Sequence, residues 1–85
     1  MDSGGLYFAI FFTTSGAMRF HRLLRNNNIT TEILPVPRSL STSCAVGVKF
    51  SYNRDLSTLI TEYIKEIYLI QHNQYILKYN KGTTV

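Results

Sequence analysis

In DLSTLITEYIKEIYLIQHNQYILKY, residues 55–79, two periodicities compete. Leu56, Leu59, Ile60, Tyr63 and Ile64 recur at helical spacing, and Asn53 and Asp55 offer a cap in front of them. The helical pattern could run on to Ile67. However, Ile67–Ile70 and Tyr75–Tyr79 flank His72-Asn73 as two strands flank a short turn. A helix that breaks near Lys65, followed by one strand or a hairpin, accommodates both patterns.

Upstream, Leu6–Phe12 (LYFAIFF) is aromatic-rich and apolar on both alternating faces, which suits a central strand covered on both sides. Thr13-Thr14-Ser15-Gly16 places hydroxyls at a helix start. Ala17, Phe20, Leu23 and Leu24 follow at helical spacing, with Arg19, Arg22 and Arg25 on the polar side. Asn26-Asn27-Asn28 ends that helix, because asparagine tolerates the left-handed conformation of a helix terminus. Ile29–Val36 reads as a strand stopped by Pro35 and Pro37, and residues 38–43 as a polar, hydroxyl-rich loop. In Ala45–Ser51, Val46, Val48 and Phe50 alternate with Gly47, Lys49 and Ser51, the pattern of a half-buried strand.

The order strand, helix, strand, strand, helix, then strand or hairpin predicts an α+β, ferredoxin-like split βαβ fold. That fold is an antiparallel sheet with two helices on one face. In this topology the Thr13–Gly16 turn and the Pro35–Cys44 loop share one end of the sheet. The amino end of the first helix then points towards the region of Arg38 and Cys44.

The chain has 85 residues, 45% hydrophobic and 16% charged, with 5 Gly and 2 Pro. That mix excludes disorder, collagen and coiled coil, and suits a single domain over 1–85, with a core at about 6–79 and a frayed tail at 81–85. The run Leu6–Phe12 follows Asp2 rather than a basic stretch and precedes no small-residue cleavage pattern, so it reads as a strand and not a leader. A membrane span would need about 20 apolar residues. With one cysteine and no such segment, a cytoplasmic location is expected. Net charge is +4, all of it within residues 1–54, where six Lys/Arg meet two acids; residues 55–85 hold three of each sign.

Cys44 is the only thiol, which excludes an internal disulfide and disfavours a thioredoxin-like oxidoreductase. Thiolate is the nucleophilic form, and its pKa of ~8.5 falls beside basic groups or helix amino ends. Arg38 lies six residues upstream, and Ser39, Ser41, Thr42 and Ser43 offer hydrogen bonds to a sulfur anion. The alternative is that Cys44 is a small apolar filler opening the following strand.

FFTTSGAMRFHRLLRNNNITTEILPVPRSLSTSCAVGVKF, residues 11–50, resembles a small bacterial family of selenium/sulfur carrier-like proteins, a domain of unknown function. The resemblance runs over about residues 6–79 and is most specific at Pro35-Val36-Pro37-Arg38 followed by Ser41-Thr42-Ser43-Cys44. Family members usually read Ser-Ser-Ser-Cys-Gly, whereas here Thr42 stands in the middle and Ala45 follows the cysteine. The resemblance implies a non-enzymatic carrier that holds a persulfide or selenopersulfide on Cys44 and exchanges it with donor and acceptor proteins. Arg38, Ser41 and Ser43 would then stabilise the anionic sulfur, with Thr14, Ser15 and the helix start as further donors.

Other chemistries find little support. His21 among arginines and His72 in a turn read as surface histidines, and no ligand pair has metal spacing, so neither metal nor cofactor is expected. RNA recognition ranks lower: Tyr7, Phe8, Phe50 and Tyr52 occupy the relevant strands, but Ala45–Tyr52 lacks the basic-Gly-aromatic opening. The competing class is an interaction module with a structural Cys44. An apolar first strand would expose Tyr7, Ala9 and Phe11, or Phe8, Ile10 and Phe12, on an uncovered sheet face. Pairing as a homodimer through that face or an edge strand is the corresponding expectation.

Overall fold

The computed structural model describes residues 5–37, 40 and 46–81. Its elements are strand β1 (Gly5–Phe11), helix α1 (Thr14–Asn26), strands β2 (Thr31–Pro35) and β3 (Val46–Tyr52), a single 3-10 turn (Leu56–Thr58), and strands β4 (Ile64–Gln71) and β5 (Gln74–Asn80). The five strands form one antiparallel sheet in the order β2-β3-β1-β4-β5.

β1 suits the centre because its residues Leu6–Phe11 are apolar on both faces without a charge among them. Tyr7, Ala9 and Phe11 pack on the helix side with Val48 and Phe50 of β3, while Phe20 and Leu24 come down from α1. Phe50 sits in the middle, its ring centroid 5.6 Å from Tyr7 and 5.3 Å from Phe20. On the opposite face Phe8 and Ile10 are also buried, at 2% and 0% exposure. The middle of β1 is therefore covered on both faces, while Leu6 and Phe12, at the two ends of the apolar run, are 37% and 51% exposed. Tyr7 and Phe50 belong to the core, which removes them as a base-stacking platform.

Both ends of α1 close as their residues dictate. Thr13 is extended, and its Oγ1 accepts the Gly16 N–H at 3.0 Å. At the other end Asn28 adopts φ 60°, and the N–H groups of Asn28 and Ile29 donate to the carbonyls of Arg25 and Leu24. This doubled closure satisfies carbonyls that the last turn would otherwise leave open.

The fold departs from the ferredoxin-like expectation. There is one helix, not two, and the molecule is a mostly-β, five-stranded antiparallel sheet. The residues expected to form the second helix instead make a crossover containing only the Leu56–Thr58 turn. The reason lies in lengths. β3 and β4 both run antiparallel to β1, so the chain must return along the sheet from Tyr52, opposite Gly5, to Ile64, opposite Phe11. Six residues of strand cover about 20 Å. An α-helix made from all of residues 53–63 would rise only about 16 Å and leave nothing for the turns. Leu59 is still buried, and Leu56 and Ile60 still pack on the core. The apolar spacing thus picked out Leu56, Leu59, Ile60 and Ile64 as inward residues, but the backbone that delivers them is not an α-helix.

The hairpin reading holds. His72 and Asn73 have φ of 53° and 62°, the left-handed pair that a two-residue hairpin turn with matching twist requires. Each ladder of β4 carries a register shift: one falls between Ile10 and Phe11 where β1 pairs β4, the other between Ile67 and Tyr68 where β4 pairs β5. The last described residue is tied down, its Lys81 N–H donating to Lys65 O at 2.9 Å. The rest of the expected tail, 82–85, lies outside the described residues.

Candidate functional site

Strand direction collects five chain segments at one end of the sheet. β1 ends there at Phe11 and α1 begins; β2 ends at Pro35 opposite Val46, where β3 begins; and β4 begins at Ile64 opposite Phe11. The sequence-predicted juxtaposition of the helix start with the flanks of the Pro35–Val46 connection is therefore present. Thr14 and Ser15 open α1 at this end and are exposed. No acidic residue occupies the first turn of α1, so the positive end of the helix dipole is not offset by its own side chains. Arg38, Ser41, Ser43 and Cys44 lie outside the described residues. Among their described neighbours, the Leu40 N–H donates to Pro37 O at 3.0 Å.

The crossover adds residues to this end that the sequence reading had placed in a helix core. Phe12 N–H donates to Tyr63 O at 3.0 Å, pinning the crossover beside the helix start. Gly16 makes this approach possible, since a Cβ there would stand 2.7 Å from Tyr63 Cβ. The Arg19 guanidinium lies 5.8 Å from the centre of the Tyr63 ring, and a groove of about 180 Å³ runs between Arg19, Leu23, Thr61 and Tyr63. Helical spacing marked Tyr63 as apolar core, but it is 37% exposed. Only the crossover path reveals its position.

A cleft of about 700 Å³ is at the other end of the sheet. It opens between the end of α1, the start of β2 and the end of β3, with Asn28, Thr30, Tyr52, Arg54 and Thr58 in its wall. It does not adjoin the segments that flank Cys44. The Tyr52 and Thr58 hydroxyls there engage each other at 2.7 Å.

Neither histidine approaches the helix start. His21, expected to be solvated, is half-buried and links α1 to β2 through Nδ1 and Thr31 Oγ1 at 3.0 Å. His72 is exposed in the hairpin turn. Among the described residues, no three of His, Cys, Asp and Glu gather as metal ligands. On the face opposite α1, the Tyr68 phenol donates to Glu66 Oε1 at 3.1 Å. Burial, reinforced by this hydrogen bond and the nearby carboxylate, raises the Tyr68 pKa, so the phenol stays protonated and donating at neutral pH. Among the described residues no helix is long and apolar enough to cross a membrane.

A family model described as "Putative Se/S carrier protein-like" matches residues 6–72, most of the chain. The chain belongs to this family. No curated protein and no solved structure matches it. In this Se/S carrier-like chain the matched segment runs from β1 into the β4–β5 turn, so it takes in the whole end of the sheet described above together with Arg38 and Cys44. β5 lies beyond the match.

Proposed function

We propose that the protein is a sulfur or selenium carrier whose working group is the Cys44 thiol. The observation that carries this reading is the family match over residues 6–72, within which Cys44 is the only cysteine. The exchange conserves electrons overall. The Cys44 thiolate attacks the outer sulfur of a donor persulfide, a new S–S bond forms on Cys44, and the donor leaves as a thiolate that takes up a proton. Delivery to an acceptor thiol is the reverse step, and a selenopersulfide follows the same course with selenium as the outer atom. No second cysteine of this chain is needed, in keeping with its single thiol.

Arg38, Ser41 and Ser43 are assigned to stabilising the anionic sulfur by charge and hydrogen bonding. Thr14 and Ser15, at the positive end of α1, are assigned the same role from across the end of the sheet. A reducing compartment such as the cytoplasm keeps the thiol free to exchange.

The test is the rate of Cys44 alkylation on the folded protein as pH is varied, followed by intact mass. An alkylation midpoint well below ~8.5 is expected, moving up towards that value in Arg38→Gln. A thiol that reacts only after denaturation would overturn the carrier reading and leave Cys44 as packing.

A further inference from the structure

β5 is the outermost strand of the sheet, and among the described residues nothing pairs with its outer edge. Three consecutive apolar residues stand exposed on it: Tyr75 at 40%, Ile76 at 37% and Leu77 at 47%. Register places Tyr75 and Leu77, opposite Ile70 and Tyr68, on the face away from α1, and Ile76, opposite Leu69, on the helix side. Both faces of this edge are thus apolar. The sheet's other edge is blunted: β2 has five residues, exposes Glu32 and ends in Pro35, which has no N–H. β5 has seven residues, no proline and one charge, Lys78, at the site of its register shift.

We propose that β5 is the seam of a homodimer, in which two copies pair their β5 strands antiparallel about a two-fold axis at Ile76 and continue the sheet from one chain into the next. Self-complementarity selects a second copy. About this axis Ile76 faces the partner's Ile76, and Tyr75 faces the partner's Leu77, an aromatic–aliphatic pair repeated by symmetry. Lys78 meets the partner's Gln74, so no like charges oppose each other. An axis at Lys78 would set two ammonium groups face to face across the register shift.

The charge distribution points the same way. The net +4 belongs to residues 1–54, and the segment that supplies β4 and β5 is neutral. Helix α1, with its arginines, packs over β1, β2 and β3. At about 4.8 Å per strand, β1 of one copy stands roughly 24 Å from β1 of the other once the two β5 strands and two β4 strands intervene, well over the Debye length of about 8 Å. Repulsion between the basic parts is therefore screened. A single strand seam of about 24 Å is narrow beside standard interfaces, so the dimer is weak and concentration-dependent. The seam lies outside the family-matched segment and does not depend on the chemistry of Cys44.

Sedimentation of the whole chain from about 10 µM to about 1 mM tests this. The expected result is a mass rising towards twice that of the monomer. Ile76→Lys and Ile76→Glu, each checked for folding by circular dichroism, are each expected to remain monomeric. Their equimolar mixture is expected to recover the dimer, which a merely structural effect would not produce. Should either variant disturb the fold, Gln74→Lys sets a second cation against the partner's Lys78 and is expected to weaken dimerisation at least about threefold. A monomer at every concentration, a dimer indifferent to these substitutions, or a mixture of folded variants that stays monomeric would each overturn the proposal.

Discussion

Phe50→Ala is expected to cost about 3–5 kcal/mol of folding stability. A chain of 85 residues has only about 4–13 kcal/mol in total, so the variant should lose from about a quarter to all of its stability. The size of the effect follows from position. Phe50 is 1% exposed and meets Tyr7, Phe20 and Tyr52 at centroid distances of 5.6, 5.3 and 6.4 Å. It therefore joins the central strand, the helix and its own strand's end in one contact. Alanine would leave a cavity between a helix and a sheet, neither of which can collapse far into it without breaking register. Denaturant titration followed by far-ultraviolet circular dichroism reads the loss. A change below about 1 kcal/mol would mean that this ring is not the keystone of the core.

Gly47→Val is expected to destabilise by at least about 2 kcal/mol, even though valine is a strong strand former. A Cβ at Gly47 would stand 2.7 Å from the Ala9 carbonyl oxygen and 2.7 Å from Phe8 Cζ. The first is backbone of the central strand, and the second belongs to a ring that is 2% exposed and already packed edge-on against Tyr75 at 6.1 Å. Neither can yield cheaply. Gly47→Ala should also be destabilising, reversing the gain of roughly 0.5–1 kcal/mol that replacing a strand glycine with alanine usually brings. Gly5→Ala serves as the contrast, because its Cβ meets only the outer atoms of the Tyr7 side chain at 3.0 Å. Equal stability of Gly47→Val and the parent in a thermal or denaturant melt would contradict the packing of Phe8 over β3.

Much of this architecture was legible from residue types alone. Thr13 before an amphipathic run, the asparagines after it, and a two-residue polar turn between apolar runs each constrain the backbone locally, and each formed as read. The second helix did not, because spacing reports which residues turn inward and not the path between them. Leu56, Leu59 and Ile60 meet the core from a crossover that holds only one 3-10 turn, and the length constraint behind that path appears only once β4 is known to begin at Ile64. The burial of Phe8 and Ile10 agrees with the reading of Leu6–Phe12 as a central strand covered on both sides and not with an uncovered sheet face; the role of Gly47 in making room for Phe8 had no signal in the pattern. Of the candidate site, the shared sheet end for Thr14, Ser15 and the flanks of the Pro35–Val46 connection followed from strand order alone. The contribution of Tyr63 and Arg19 did not, because the crossover that brings Tyr63 against the helix start has no signature in spacing.

The most direct test of the carrier account is intact mass of the folded protein after exposure to a small persulfide donor and removal of excess reagent. The account predicts a gain of one sulfur atom per chain, reversed by a thiol reductant and abolished in a folded Cys44→Ser variant. No added sulfur on the parent protein, or the same gain on Cys44→Ser, would contradict it.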